Sequence, residues 1–297
     1  MKIGRSVIFG LVGTSFVVVG FWLEWIVRGG GNSLLAVAVK VLLFPAACVA
    51  FALSDGRRKE GVSFRKRLLS VCGKGKVGAA DIAVPVCAGV LFWFFAAFFS
   101  DGIVSVFEAA TERISLFPGP VLPDGGEYAA ALVLKGVLLP AGAAFFYFGV
   151  GRGFYGKNKG GTAMLVLYAT FVEFSAESAI VFAAVNALCA RLTKKSDSAI
   201  PAAIASVVFS LCNLTVPFFA TLPFSCRLVT TVETAAYYGP VSVGIGLLFL
   251  AAVVLLLGFY GKEEKSEKKA GSEDKFVFFG ACVLYFVLAV ALNAGIA

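Results

Sequence analysis

Two carboxylates are the residues in this chain whose type and spacing most clearly indicate chemistry. Glu173 and Glu177 lie four positions apart, hence on one face of a helix, inside a long apolar run at residues 163–190. Two carboxylates so placed repel each other when both are ionised, and a bound proton or a cation between them relieves the repulsion. Proton relay and cation coordination both use this arrangement, so the pair is the leading candidate site.

Further polar residues inside apolar runs complete the candidate intramembrane site. A charged side chain at the centre of a bilayer costs roughly 2.5–3.5 kcal/mol on insertion scales, so a persistent one needs a partner, a cavity or a function. Lys40 and Lys135 have two alternatives. They form buried ion pairs with the glutamates, or they extend towards the membrane surface. The asparagines, and Thr215 with them, are expected to form hydrogen bonds between helices. These lysines and asparagines are Lys40, Lys135, Asn213 and Asn293.

The elements that carry these residues are apolar runs long enough to span a membrane. Of 297 residues, 59% are apolar and 15% are charged, whereas soluble domains have about 45–50% apolar and about 25% charged residues. A helix needs roughly 20 apolar residues to cross a hydrocarbon layer of about 30 Å. The sequence therefore predicts an all-α, polytopic transmembrane helix bundle with about eight membrane segments. The apolar runs are residues 6–27, 33–53, 80–100, 128–150, 163–190, 200–222, 241–260 and 276–297.

The connecting segments predict one integral membrane domain over residues 1–297, with its amino terminus in the cytoplasm. Lys and Arg collect in cytoplasmic loops. Residues 54–79 form a basic loop, which is expected in the cytoplasm and in contact with anionic lipid headgroups. Residues 101–127 form a loop with a net negative charge, which is expected outside. Residues 261–275 form a charged linker. The expected headgroup-binding residues are Arg57, Arg58, Lys59, Arg65, Lys66 and Arg67.

The run at residues 163–190 conflicts with the charge rule if it crosses the membrane once. Arg191, Lys194 and Lys195 would then lie outside, as would the lysines of residues 262–275. A re-entrant or broken form that returns to its own side keeps all these charges in the cytoplasm. A single helix over the run would be about 42 Å long at 1.5 Å per residue, a length that a tilted helix accommodates. Both alternatives are open on sequence grounds.

The composition excludes several classes of function. The chain has no histidine, which removes Ser-His triads, H-E-x-x-H zinc sites and histidine proton shuttles. The seven cysteines form no C-x-x-C pair and are interpreted as small apolar side chains. The net charge is +8, and the Lys and Arg residues lie mostly between the apolar runs. The expected partner is therefore the lipid bilayer and not nucleic acid. Neither a metal nor a cofactor is expected.

Three short motifs follow one another in the second half of the chain. Glu173 and Glu177 come first, then residues 209–213 (FSLCN), then residues 289–293 (AVALN). This order resembles the CPBP family of CAAX-protease-like intramembrane peptidases, whose pattern is E-E-x-x-x-R, F-x-x-x-H and H-x-x-x-N on successive membrane helices. The glutamates here are four apart instead of adjacent, and both histidines are replaced. The resemblance implies a relative without the metal-binding histidines, which binds membrane partners and cleaves nothing.

These observations lead to two hypotheses about function. The leading one is a small-solute or ion permease of the cytoplasmic membrane that uses intramembrane carboxylates, because transporters build midplane sites from unwound helices. The alternative is a non-catalytic membrane interaction protein with a membrane protein as its partner. A membrane-embedded enzyme with Glu173 or Glu177 as general base lacks a nucleophile or a metal set, so the sequence disfavours an enzyme.

Overall fold

The computed structural model describes residues 33–56, 77–112, 125–152, 162–169 without 164 and 168, 179–219 and 231–260. These residues are mostly helical and contain no β-strand, which confirms the predicted all-α fold. In chain order the longer helices are α1 (Ser33–Gly56), α2 (Ala80–Thr111), α3 (Gly126–Gly151), α4 (Ala179–Ser196), α5 (Ile200–Phe219) and α6 (Val232–Phe259).

Within the described residues, three helices are long and apolar enough to cross a membrane. They are α2, α3 and α6, while α1 and α5 contain the shorter apolar stretches Val37–Phe51 and Ile200–Thr215. Such helices indicate a membrane protein. The apolar runs at residues 6–27 and 276–297 lie outside the described residues, so the number of membrane segments stays a prediction.

The chain divides into two compact units. The first comprises residues 1–77, 138–203 and 262–297, and the second comprises residues 78–137 and 204–261. The prediction of a single membrane domain is not decided by this division. Of the predicted connecting segments, residues 57–76 and 261–275 lie outside the described residues, and the external segment begins inside a helix because α2 continues to Thr111.

Local hydrogen bonds fix the ends of α2 and α6. At the start of α2, Asp81 accepts a hydrogen bond from the backbone N–H of Gly78 at 2.8 Å. At its end, Glu112 takes a left-handed φ of 52° and its N–H donates to the carbonyl of Glu108. Thr231 and Thr234 form a reciprocal capping box at the start of α6, which satisfies backbone donors that have no partner within the helix.

In the second unit, α2 and α6 pack as an antiparallel pair along a seam of glycines. A Cβ added to Gly102 would lie 2.7 Å from the backbone nitrogen of Val243, and one added to Gly246 would lie 3.0 Å from that of Phe99. Small residues let membrane helices approach this closely. At the other end of the pair, the Tyr260 hydroxyl donates to Asp81 at 2.5 Å.

The helix α5 also packs in the second unit, against α2 and against the first half of α3. A Cβ on Gly89 would lie 2.9 Å from the carbonyl oxygen of Ala205, and the Phe92 and Phe209 rings lie 6.1 Å apart. Residue numbers increase in the same direction along both helices at these contacts, so α5 runs parallel to α2.

In the first unit, aromatic side chains from α1 and from the end of α3 form the core. Phe44 lies 5.8 Å from Phe146 and 5.9 Å from Tyr147, ring centre to ring centre. Phe51 extends the cluster towards Phe146 at 6.4 Å. Edge-to-face and tilted arrangements of this kind are the favoured aromatic geometries, and they hold α1 against α3.

Candidate functional site

Most of the predicted site residues lie outside the part of the chain that the structure describes. These are Glu173, Glu177, Asn293 and all six expected headgroup-binding residues. Lys40 belongs to α1, but its side chain is not among those described. Lys135 and Asn213 are described, and they define the geometry of the candidate intramembrane site.

Lys135 lies in a π-helical segment of α3, Leu132–Leu138, which is followed by the short α-helical segment Leu139–Ala144. Pro140 is the second residue after the π-helical segment. Proline has no N–H, and its ring clashes with the carbonyl four residues earlier, here that of Gly136. A wider π-turn relieves that clash, and π-turns of this kind are frequent at functional sites.

The Lys135 side chain is exposed on a helix that is long and apolar enough to span the membrane. It forms no ion pair and no hydrogen bond with the described residues. Lys135 lies about 14 Å from the start of α3 at 1.5 Å per residue, hence about 9 Å inside a centred hydrocarbon layer of about 30 Å. At that depth a cation needs an anionic partner, a cavity or partial extension to the surface.

Asn213 is exposed on α5, near the point where α5 contacts α3. A Cβ on Gly136 would lie 2.8 Å from Leu211 and 3.4 Å from Leu214. The structure thus places Lys135 and Asn213 on two touching helices, each within two residues of the contact, although no hydrogen bond joins them. Thr215 differs from the expectation, because its hydroxyl donates to the Leu211 carbonyl of its own helix at 2.7 Å.

A second polar arrangement, not predicted from the sequence, joins the ends of α3 and α4 in the first unit. Arg152 Nη1 lies 3.0 Å from Asp197 Oδ1 and donates to the Thr193 carbonyl at 2.8 Å. The Arg152 side chain is 14% exposed and that of Asp197 is 35% exposed. Asp197 has a left-handed φ of 54° and follows the last residue of α4. The Arg152 guanidinium therefore binds both the last turn of α4, through Thr193, and the residue directly after the helix.

The turn between α4 and α5 is held by serine side chains. The Ser196 hydroxyl donates to the Leu192 carbonyl at 2.9 Å and accepts from the Ser198 N–H at 3.2 Å. The Ser198 hydroxyl accepts from the N–H of Ile200, the first residue of α5, at 3.2 Å. These bonds place Asp197 in a fixed position beside Arg152.

Sequence reasoning missed these residues because it treated them as loop charges. Neither Arg152 nor Asp197 is among the site residues predicted from the sequence. A usable signal exists: Asp197 is an isolated acid two residues after the Lys194–Lys195 pair. Two buried polar residues of α2 were also missed: Ser105 and Glu108 are 4% and 2% exposed, although they lie in the predicted external loop.

Comparison with family models, curated proteins and solved structures finds no match to this chain. The resemblance to the CPBP peptidases therefore stays a prediction. Of its motif residues, Phe209 packs against Phe92, Asn213 is exposed, and Asn293 lies outside the described residues. Among the described residues, no group of His, Cys, Asp or Glu side chains has the arrangement of a metal site.

Proposed function

We propose that this protein is a permease for a small solute or an ion, in which intramembrane carboxylates bind a proton or a cation. The observation that carries the proposal is Lys135, an exposed cation without a described partner on a candidate membrane span. Ionisable residues at membrane depth mark substrate or ion pathways by default. The π-helical segment around Lys135 supports the same interpretation.

Glu173 and Glu177 supply the carboxylates in this proposal. An acid pair binds protons or cations, whereas Lys135 supplies a positive charge on a candidate membrane span. Exposed Asn213 offers a neutral donor and acceptor near the same level of the second unit. These residue types suit a pathway that moves a charged species and neutralises it on the way.

The proposed frame is a polytopic protein of the cytoplasmic membrane with about eight segments and its amino terminus in the cytoplasm. The distribution of Lys and Arg over the loops supports this orientation. The basic residues between positions 57 and 67 then face the anionic lipid headgroups of the inner leaflet.

The test is ion flux into liposomes that contain the purified full-length protein. Proton, Na⁺ and K⁺ movement is followed with trapped indicator dyes under an imposed membrane potential. Glu173→Gln/Glu177→Gln and Lys135→Gln are each expected to reduce the flux about tenfold or more, equivalent to about 1.4 kcal/mol in the barrier. The matched control is Glu127→Gln, an exposed acid at the start of α3, which should leave the flux unchanged.

Two results would count against the permease. Flux that is indifferent to removal of both carboxylates removes the basis of the proposed site. Flux no greater than that of protein-free liposomes, together with co-purification of a stable membrane protein, favours the interaction protein, for which the F-x-x-x-N trace at Phe209 and Asn213 is the support.

A further inference from the structure

The contact between Arg152 and Asp197 joins two points that lie far apart along the chain. Arg152 follows the last residue of α3, a candidate membrane span, and therefore lies at one membrane surface. Asp197 lies 3.0 Å from it, so Asp197 lies at the same surface. The apolar run at residues 163–190 falls between these two points.

A single membrane crossing between Arg152 and Asp197 is incompatible with this distance. One crossing separates its two ends by the hydrocarbon thickness of about 30 Å. The observed separation is that of an ion pair, and the Thr193 carbonyl, also bound by Arg152, repeats the constraint at 2.8 Å. A tilted helix can be longer than the bilayer is thick, but its two ends still lie at opposite surfaces.

The second unit gives the same answer independently. Tyr260 binds Asp81, so α6 ends at the surface where α2 begins. The contacts of Gly89 with Ala205 and of Phe92 with Phe209 show that α5 starts at that surface too. Since α2 leaves this surface and α3 returns to it, the chain between α3 and α5 must cross an even number of times.

We propose that the chain between Arg152 and Asp197 leaves one membrane surface and returns to it, so that the apolar run at residues 163–190 does not cross once. The proposal does not rest on permease activity, because it holds for any function of a membrane protein. It also removes the conflict with the charge rule, since Arg191, Lys194 and Lys195 then share a surface with the basic loop before α2.

This topology creates an interaction surface for anionic lipid. Arg191 is exposed and Lys194 is half-buried at the end of α4. Both lie near the surface at which α3 ends, where basic residues attract anionic lipid headgroups.

The test is labelling of single cysteines with a membrane-impermeant maleimide, in intact and in opened cells. The background carries replacements of all seven native cysteines. The informative variants are Arg191→Cys and Glu233→Cys, and the references for the two surfaces are Val77→Cys and Glu127→Cys, all at exposed positions. We expect Arg191→Cys to label like Val77→Cys, and Glu233→Cys to label like Glu127→Cys.

A single crossing predicts the reverse pattern for both informative variants, and that pattern would overturn the proposal. A second measurement covers the case in which the cysteine-free protein does not fold. In the otherwise native chain, Arg152→Cys/Asp197→Cys should be joined by a short bifunctional thiol reagent, whereas Glu127→Cys/Asp197→Cys should not. Cross-linking of the control pair alone would also contradict the proposal.

Discussion

At the scale of single residues, Arg152 joins the end of α3 to the end of α4. Its guanidinium binds the Thr193 carbonyl, which has no partner within α4 because it belongs to the last turn, and it pairs with Asp197. A positive charge at a helix carboxyl end also interacts favourably with the helix dipole. One side chain thus stabilises the end of α4 in two ways.

Replacing Arg152→Ala should destabilise the protein. We expect a loss of about 1–2 kcal/mol in the free energy of unfolding, below the 3–5 kcal/mol typical of a fully buried pair, because Asp197 is 35% exposed and solvent screens it. The measurement is denaturant unfolding in detergent micelles. Arg191→Ala, at an exposed position of the same helix, is the control and should change stability by less than about 0.5 kcal/mol. Equal effects of both variants would mean that Arg152 acts only through net charge.

At the scale of elements, the α2–α6 pair depends on backbone approach at its glycines. The Gly102 position meets backbone atoms of α6, which cannot rotate away as a flexible side chain can. Phe94 and Phe98 add stacked contacts with Phe249, at 5.0 and 5.9 Å between ring centres. The seam is therefore a close-packed interface that a single methyl group disturbs.

Gly102→Ala should weaken this interface, because the new Cβ would lie 2.7 Å from the Val243 nitrogen. Overpacking of this kind costs about 1–3 kcal/mol. Gly244→Ala is the matched control on the facing helix, since a Cβ there meets nothing within 4 Å, and alanine is the better helix former. Thermal unfolding in detergent should show a lower midpoint for the first variant and an unchanged or higher one for the second; the opposite order would refute the described seam.

Insertion of α3, a candidate membrane span, would carry the cost of placing Lys135 in the hydrocarbon layer. Lys135→Leu should make insertion of α3 more favourable by about 3 kcal/mol on translocon scales. The measurement is the inserted fraction of the α3 segment in a glycosylation-based assay. Val133→Leu, two positions away and also exposed, should change insertion by only a few tenths of a kcal/mol. A Lys135→Leu effect as small as that would show that the lysine already reaches the surface.

At the scale of the whole molecule, the described contacts fall into two compact units. Arg152 and its partners belong to the first unit, whereas Gly102 and Val243 belong to the second. Among the described contacts, Arg152 binds Thr193 and Asp197, whereas a Cβ on Gly102 would meet Val243 and Gly239. Substitutions in separate contact sets without shared partners usually have additive effects on stability.

The double variant Arg152→Ala/Gly102→Ala should therefore lose the sum of the two single losses, to within about 0.5 kcal/mol. Denaturant unfolding of the two single variants and the double variant under one detergent condition measures this. A smaller combined loss would reveal energetic coupling between residues 152 and 102 that the contacts do not account for.

The ends of α2 and α6 show why element boundaries escaped prediction. The apolar runs predicted segments at residues 80–100 and 241–260, but α2 continues to Thr111 and α6 begins at Val232. In the extra part of α2, the buried residues Gly102, Ser105 and Glu108 recur every three positions. These residues lie on one face of the helix, and α6 packs against part of that face. A count of apolar residues does not detect such a face, because its members are small or polar.

The sequence by itself determined that the chain belongs in a lipid environment and that its fold is all-α. In lipid every backbone polar group must bond within its own segment, so long apolar runs have to be helices, and the described residues are helical. Only the tertiary structure decided which helix ends meet. The Arg152 contact with Asp197 and the Tyr260 contact with Asp81 join residues far apart in the chain, and the charge signs in a sequence do not specify such pairs, because each pairing depends on the path of the chain between them.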